Sequence, residues 1–314
     1  MAERGALRRI PRFAASRSLW ALNAALDRVE TVSGGPADAP LPEPPVFIVG
    51  PPRTGSTLLY QLVVGCFHVG YLSNRHCRLY GAPSLVERIR HPEPPSVLES
   101  RYGRTAGPDA PSECGEYWYR FFRRSPQYVP HGKADPDKLR RLRASVRALG
   151  NAAGRPLVFK NLICALRLGP ISETLPEAVF VRIRRNVLAT AVSLLAGRKA
   201  LFGNYGHWWS SEPPGIERLR TLPAHEQVVE QIAAVEELID QARAEAGPER
   251  FCDVTYEALC EDPGAALGTI AALAERNGFR LTPRRPPPST LEQAEPQPID
   301  DDLQDQLAAY IRDR

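Results

Sequence analysis

Lysine is scarce in this chain. Only Lys133, Lys138, Lys160 and Lys199 occur, so nearly all of the 40 basic residues are arginine. Such a bias reflects the base composition of a genome as readily as any function. Excess charge is scarce too: 40 basic against 36 acidic residues leaves a surplus of 4, too small to mark a nucleic-acid binder. The six cysteines, Cys66, Cys77, Cys114, Cys164, Cys252 and Cys260, form no C-x-x-C pair. Scattered single thiols read as reduced, which points to a cytoplasmic setting. Cys66, His68, His76 and Cys77 lie near one another in sequence, but their spacing fits no common zinc pattern. Long apolar runs are missing as well. Nothing approaches the roughly 18 residues of a membrane span, so no transmembrane segment is expected. Met1 to Arg17 is rich in arginine but has no sustained apolar stretch, which argues against a secretory signal; an organelle-targeting segment is the weaker alternative.

What is present suits a globular protein. The hydrophobic fraction is 43% and the charged fraction 24% over 314 residues, enough for one large α/β domain or two small ones. Leu19, Leu22, Leu26 and Val29 recur at helical spacing and predict an amphipathic helix over 14–30. A Gly/Pro-rich linker follows from Gly34 to Pro45. Val46 to Val49 then reads as a buried strand, and Ser56 to Cys66 as a helix. The alternation returns downstream. Strands are expected over 156–159, 178–181 and 251–254, with helices over 187–198 and around Val228, Ile232, Val235, Ile239 and Ala242. Residues 283–298 are too proline-rich for regular structure, and 299–312 reads as a last helix. This order predicts a three-layer α/β fold of the P-loop-like kind, a central parallel sheet flanked by helices. Residues 1–45 would form a helical arm and linker, and 46–314 one domain.

Gly50 to Thr57 reads G-P-P-R-T-G-S-T. Set against the nucleotide-binding pattern G-x-x-x-x-G-K-[ST], both glycines stand in place and Thr57 fills the hydroxyl position, but Ser56 replaces the lysine. That lysine reaches the β- and γ-phosphates of a triphosphate, so a chain without it is poorly equipped to split ATP. The rest of the device remains. Backbone N–H groups at a helix start, Arg53, Gly55 and the hydroxyls of Thr54, Ser56 and Thr57 suit a single 5′-phosphate bearing a second anionic group. A second basic element lies at Arg185, where a strand ends. Ser193 stands eight residues on, about two turns up the following helix. An arginine fork and a hydroxyl suit one further phosphate, although solvated arginines at a strand end would look the same.

The run P-P-R-T-G-S-T-L-L at 51–59, taken with Arg185 and Ser193, resembles the sulfotransferase family. The resemblance covers roughly 46–280. It implies that the first motif binds the 5′-phosphosulfate and the second the 3′-phosphate of 3′-phosphoadenosine 5′-phosphosulfate (PAPS). The family's R-D-P or R-N-P is Arg185-Asn186-Val187 here, without the proline. Tyr256-Glu257-Ala258-Leu259 with Asp262-Pro263 is similar to the family's Y-E-x-L and D-P, which implies that Tyr256 contacts the cofactor near its adenine. Lys160-Asn161-Leu162 resembles the family's K-S-P or K-T-P strand end.

By this resemblance the reaction is in-line sulfuryl transfer to a hydroxyl or amine, with no metal required. Arg53 and the loop N–H groups would stabilise charge on the leaving oxygen, much as fixed donors do in phosphoryl transfer. Lys160 is placed to touch the sulfuryl group or the bridging oxygen, or else is a strand-end lysine with its head in water. The acceptor needs a base. Glu113 is the first choice, because it precedes an aromatic run, Tyr117 to Phe122, expected to form a helix walling an acceptor pocket. Glu116, His76 and His207 are the alternatives, and Cys164 occupies a place where some relatives carry histidine. The cluster Gly206-His207-Trp208-Trp209 reads either as an apolar acceptor contact or as core. The acceptor itself, small molecule, lipid or glycan, is not written in the sequence, and pairing into homodimers is left open. A P-loop phosphotransferase, with Asp253 after a strand, and a non-catalytic nucleotide-binding relative are the competing readings.

Overall fold

The structure, a computed structural model, describes residues 17–33, 35–36, 39–95, 103 and 105–314. In chain order the main elements are α1 (Arg17–Ser33), β1 (Val46–Val49), α2 (Ser56–Cys66), β2 (Gly70–Tyr71), α3 (Asn74–Arg78), α4 (Pro83–Ile89), α5 (Gly115–Trp118), α6 (Pro136–Ala153), β3 (Leu157–Lys160), α7 (Leu168–Thr174), β4 (Val179–Arg184), α8 (Val187–Phe202), α9 (Ile216–Leu219), α10 (Ala224–Ala246), β5 (Phe251–Thr255), α11 (Tyr256–Glu261), α12 (Pro263–Arg276) and α13 (Asp301–Asp313). Among the described residues the strands form one five-stranded sheet in the order β2-β3-β1-β4-β5, and every pairing is parallel. The expected three-layer α/β architecture is therefore the one found. Residues 14–16, where the first helix was expected to begin, lie outside the described residues.

Pleating sorts the strand side chains onto two faces. On one face Phe159, Phe47, Phe180 and Phe251 stand in register across four strands. Their ring centroids are 5.2, 5.7 and 4.7 Å apart in that order. The other face carries Val46, Ile48, Val158 and Val181, covered by Leu59, Leu62 and Val63 of α2 and by Leu267 and Ile270 of α12. A third cluster joins α8, α10 and α13 through Leu194, Leu195, Val228, Ile232 and Leu307.

Several helices carry start signals that fix their ends. Asp135 caps α6 by accepting from the Asp137 and Lys138 amides at 2.9 and 3.3 Å, with Pro136 in the first turn. Asn186 caps α8 through its Oδ1, which accepts from the Ala189 amide at 3.1 Å. That cap does the work of starting the helix where the family's proline is missing. Asp262 caps α12 in the same manner, at 2.9 Å.

One expectation fails here. Tyr117 to Phe122 is not an aromatic helix along a pocket. Helix α5 is only four residues long, and Tyr117, Trp118, Phe121 and Phe122 are all buried. Trp118 lies over the phenylalanine row, 5.9 Å from Phe47 and 5.4 Å from Phe159. Large rings beside a bare sheet face remove more apolar surface from water than they would lining an open cleft, and the sheet wins them. The segment therefore acts as a clamp that fixes the backbone just before it, at Glu113.

Candidate functional site

The chain builds β1, goes out to β2, returns to β3 and then crosses to β4. The direction of winding thus reverses beside β1, and a crevice opens beyond the carboxyl ends of the strands at that point. All four sequence motifs follow the carboxyl end of a parallel strand: Arg53 after β1, Lys160 at the end of β3, Arg185 after β4 and Tyr256 after β5. Parallel pairing alone sends them to one edge.

The turn after β1 is tightly built. A Cβ on Gly50 would stand 2.4 Å from the Ile183 carbonyl oxygen, so β1 leaves the sheet pressed against β4. Gly55 has φ +85°, and a Cβ there would stand 2.3 Å from Tyr256 Cδ2. The ring of Tyr256 thus lies directly on the loop. Arg53 holds φ +71°, a left-handed conformation that costs a non-glycine residue about 1–2 kcal/mol. Its side chain shows what holds it there. Arg53 Nε donates to Ser193 Oγ at 3.0 Å, and the guanidinium carbon lies 5.9 Å from the Trp209 ring centroid. Thr54 donates its hydroxyl to the Pro51 carbonyl at 2.8 Å and is buried. That hydroxyl is therefore spent on shaping the turn. Ser56 and Thr57 open α2, where first-turn amides lack helical acceptors.

The second motif closes on the first. Arg185 Nη1 donates to the Arg53 carbonyl at 3.4 Å and Nη2 to the Ala294 carbonyl at 2.8 Å. The Arg185 guanidinium lies 4.3 Å from the centroid of Tyr256. The Tyr256 hydroxyl in turn accepts from the Ala294 amide at 2.8 Å, and burial pushes its phenol up, so it stays neutral at physiological pH. Glu257 accepts from the Asn186 amide at 3.0 Å, tying α11 to the start of α8. Arg53, Gly55, Arg185, Ser193 and Tyr256 therefore form one contiguous group.

A third group stands beside it. Lys160, 3% exposed, donates to Thr57 Oγ1 at 3.1 Å and to Glu113 Oε1. The Asn161 side chain donates to the Glu113 carbonyl at 3.1 Å, and Trp118 anchors the chain just beyond. The Glu113 side chain is 30% exposed, so the carboxylate is both held and open to solvent. Lys160 thus bridges the phosphate loop and the leading candidate for the base.

The other candidates are spent elsewhere. Glu116 pairs with Arg124 at the surface. His76 is fully buried, bonded to Ser73 and close to Glu87. His207 stacks on Phe202, with centroids 3.9 Å apart, on an exposed loop. Burial pushes the Cys164 thiol up, which makes it a poor base. Asp253, the support for a phosphotransferase, is taken by Arg182 at 2.5 Å and by Arg243 at 2.8 Å. Among the described residues no three His, Cys, Asp or Glu side chains are arranged to hold a metal, so Cys66, His68, His76 and Cys77 do not converge.

Sequence reasoning missed two parts of the site. Trp209 was ambiguous between acceptor contact and core. It packs on Gly197, where a Cβ would stand 2.4 Å from its ring, and so sits behind Arg53. Its loop is fixed by the buried Arg198, which donates to the Tyr205 carbonyl at 3.3 Å, and by Gln231, which donates to the Trp209 carbonyl at 2.9 Å. Desolvation pulls the Arg198 guanidinium down to about 10. Ala294 contributes only backbone groups from the proline-rich segment, and backbone carries no sequence signal.

The set of donors suits anionic groups. It brings two arginines, a serine hydroxyl and a helix start together around the buried Tyr256 ring. Residues 44–277 match the profile of the Sulfotransferase family. A similar protein is the omega-hydroxy-beta-dihydromenaquinone-9 sulfotransferase Stf3 of Mycobacterium tuberculosis, 27% identical over 258 residues, which are 74% of this chain. The match spans 62% of that relative's length, and the same holds for the Mycobacterium bovis protein of that name. Similar solved structures include sulfotransferase STF9 from Mycobacterium avium, with TM-score 0.53 and 16% identity over 93% of this chain and 73% of that one. Sulfotransferase STF1 from Mycobacterium tuberculosis gives 0.50 and 17% over 92% and 76%. At those identities the structures speak for the fold alone, while the profile covers most of the chain. The chain belongs to the sulfotransferase family.

Proposed function

We propose that the chain transfers a sulfuryl group from PAPS to the hydroxyl of an acceptor. The observation that carries this reading is the 3.0 Å bond from Arg53 to Ser193, which joins two motifs 140 residues apart in sequence. One small molecule with two anionic ends then spans both. Bound there, PAPS would supply the activated sulfuryl group on a 5′-phosphate. The amides of the 53–57 turn and the Arg53 guanidinium would neutralise the charge left on that phosphate. Arg185 and Ser193 would hold the 3′-phosphate and so select against nucleotides lacking it. Tyr256, only 4% exposed beneath Arg185 and against Gly55, would support those two groups from behind rather than offer an open ring to the base.

The protein's own groups divide the remaining work. Glu113 would serve as the base that receives the acceptor's proton, a reading supported by its partly exposed, Lys160-held carboxylate. Lys160 holds Glu113 and Thr57 together, and when its ammonium swings toward charge developing on the loop side it frees the carboxylate for that proton. The acceptor side is open to small-molecule, lipid or glycan hydroxyls. The similar mycobacterial protein named for an omega-hydroxy menaquinone supports the lipid choice among these. The phosphotransferase reading is weakened by Ser56 in the lysine position and by the engagement of Asp253.

The test is a thermal-shift comparison of 3′,5′-bisphosphoadenosine, 5′-AMP and ATP with Mg²⁺. The bisphosphate should stabilise most, without metal. A larger shift by ATP with Mg²⁺ would instead support the kinase-like reading. Transfer of radiolabelled sulfate from PAPS to a hydroxyl panel should fail in Arg53→Ala. Tight bisphosphate binding with no transfer to any member of the panel would favour the non-catalytic relative.

A further inference from the structure

Helices α1 and α4 pack on each other and on α6. The three acids of α1 and α4 all turn inward. Asp27 is engaged by Arg120 and Arg141, Glu30 accepts from Ser84 Oγ at 2.5 Å, and Glu87 is held by His76 and His91. Most of what turns outward among the described side chains is apolar or cationic. Trp20, Val29 and Val32 of α1 are 65%, 55% and 82% exposed, and Ile89 of α4 is 75% exposed. Leu22, Ala25, Val29 and Val32 follow helical spacing and form one stripe along α1. Arg28 and Arg88 are exposed on the same two helices; Arg78 is exposed at the end of α3, and just after α4 come Arg90, which reaches Asp109 at 3.7 Å, and one exposed acid, Glu93.

We infer that this face docks on an anionic bilayer surface. Apolar side chains interleaved with arginines, with every acid of both helices withdrawn, is the composition that binds headgroups and the acyl boundary together. A second copy of the chain is a poor occupant, because a twofold interface would set one arginine patch against its own image. A nucleic-acid duplex would use the arginines but leave Val29, Val32 and Ile89 facing water. The inference does not depend on the donor or the base; it concerns where the enzyme works and which acceptors it meets. No helix among the described residues is long and apolar enough to cross a membrane, so the contact would be peripheral.

The full chain should be sedimented with vesicles of phosphatidylcholine alone and with vesicles containing phosphatidylglycerol. The expected result is pelleting only with the anionic vesicles, weakened by salt. Arg28→Gln should lower partitioning about fivefold, the effect of one cation near such a surface. Val29→Glu with Val32→Glu should lower it by at least about tenfold. Both sites are exposed, so the thermal midpoint and the bisphosphate shift should not change. Should the double variant prove unstable, Arg28→Gln and the salt series carry the test alone. Equal pelleting by both vesicle types, or by wild type and variants, would overturn the inference. So would a dimer in sedimentation velocity that the double variant dissolves, or binding to duplex DNA that displaces the protein from vesicles.

Discussion

Arg185→Ala offers the sharpest test of the site. In the free protein the Arg185 guanidinium donates to two carbonyls, those of Arg53 and Ala294, and lies on Tyr256. A 3′-phosphate would replace neutral acceptors with a doubly charged one and engage the fork in charge-assisted bonds. Such bonds contribute about 1.5–3 kcal/mol each, and the surrendered carbonyl bonds return part of that. A net loss near 3 kcal/mol follows, equivalent to roughly a hundredfold in Kd. The variant should therefore bind 3′,5′-bisphosphoadenosine about a hundredfold more weakly by titration calorimetry, while 5′-AMP, which lacks the 3′-phosphate, should change by less than about threefold. Ser193→Ala should cost the bisphosphate about 1 kcal/mol and leave 5′-AMP nearly unchanged. Equal losses for both nucleotides in Arg185→Ala would refute the reasoning. They would mean that Arg185 serves only to hold the 283–298 segment and Tyr256 in place.

Glu113→Gln should reduce turnover by about 10²–10⁴-fold while leaving bisphosphate affinity close to wild type, as initial rates and calorimetry would show. Gly55→Ala forces a Cβ into the Tyr256 ring at a positive φ and should lower the thermal midpoint, with a stability loss of about 1–3 kcal/mol, and abolish the bisphosphate shift. Phe47→Ala removes the centre of the phenylalanine row and should cost about 3–5 kcal/mol in chemical denaturation. Burial pulls the Asp253 carboxyl up, but the bonds from Arg182 and Arg243 outweigh it and hold the carboxyl below the usual range. The folded state thus binds this proton less readily than the unfolded chain. The stability it contributes is present above the unfolded-state pKa, near 3.8, and is lost as pH falls through the lower folded value. Denaturation midpoints of Asp253→Asn should accordingly fall less steeply on acidification than those of the wild type.

Much of the site was legible because its chemistry is local. The glycine turn with Arg53 and the Arg185 element each follow a strand exit marked by an apolar run, Ser193 stands two turns up the next helix, and Tyr256 was marked only by the family resemblance; the α2 and β1 boundaries follow directly from the first run. Where local signals conflicted, reading failed. Helix α6 carries Leu142, Val146 and Leu149 at helical spacing, but its many arginines mask the pattern. Strand β2 has only two residues, too few for any periodicity. Tyr117 to Phe122 gave a true apolar signal whose destination, sheet face or cleft, no spacing reveals.

The sequence by itself determined the alternation of strands and helices, the loop that lacks a lysine and the arginine that answers it, because each depends on a few neighbouring residues. Only the tertiary structure decided that Arg53 meets Ser193, that Lys160 spans Thr57 and Glu113, and that Ala294 backbone groups close the site. It also decided that every acid of α1 and α4 points inward. Those outcomes rest on parallel strands bringing distant exits to one edge and on rings competing for the sheet, and both are set by packing across the whole chain.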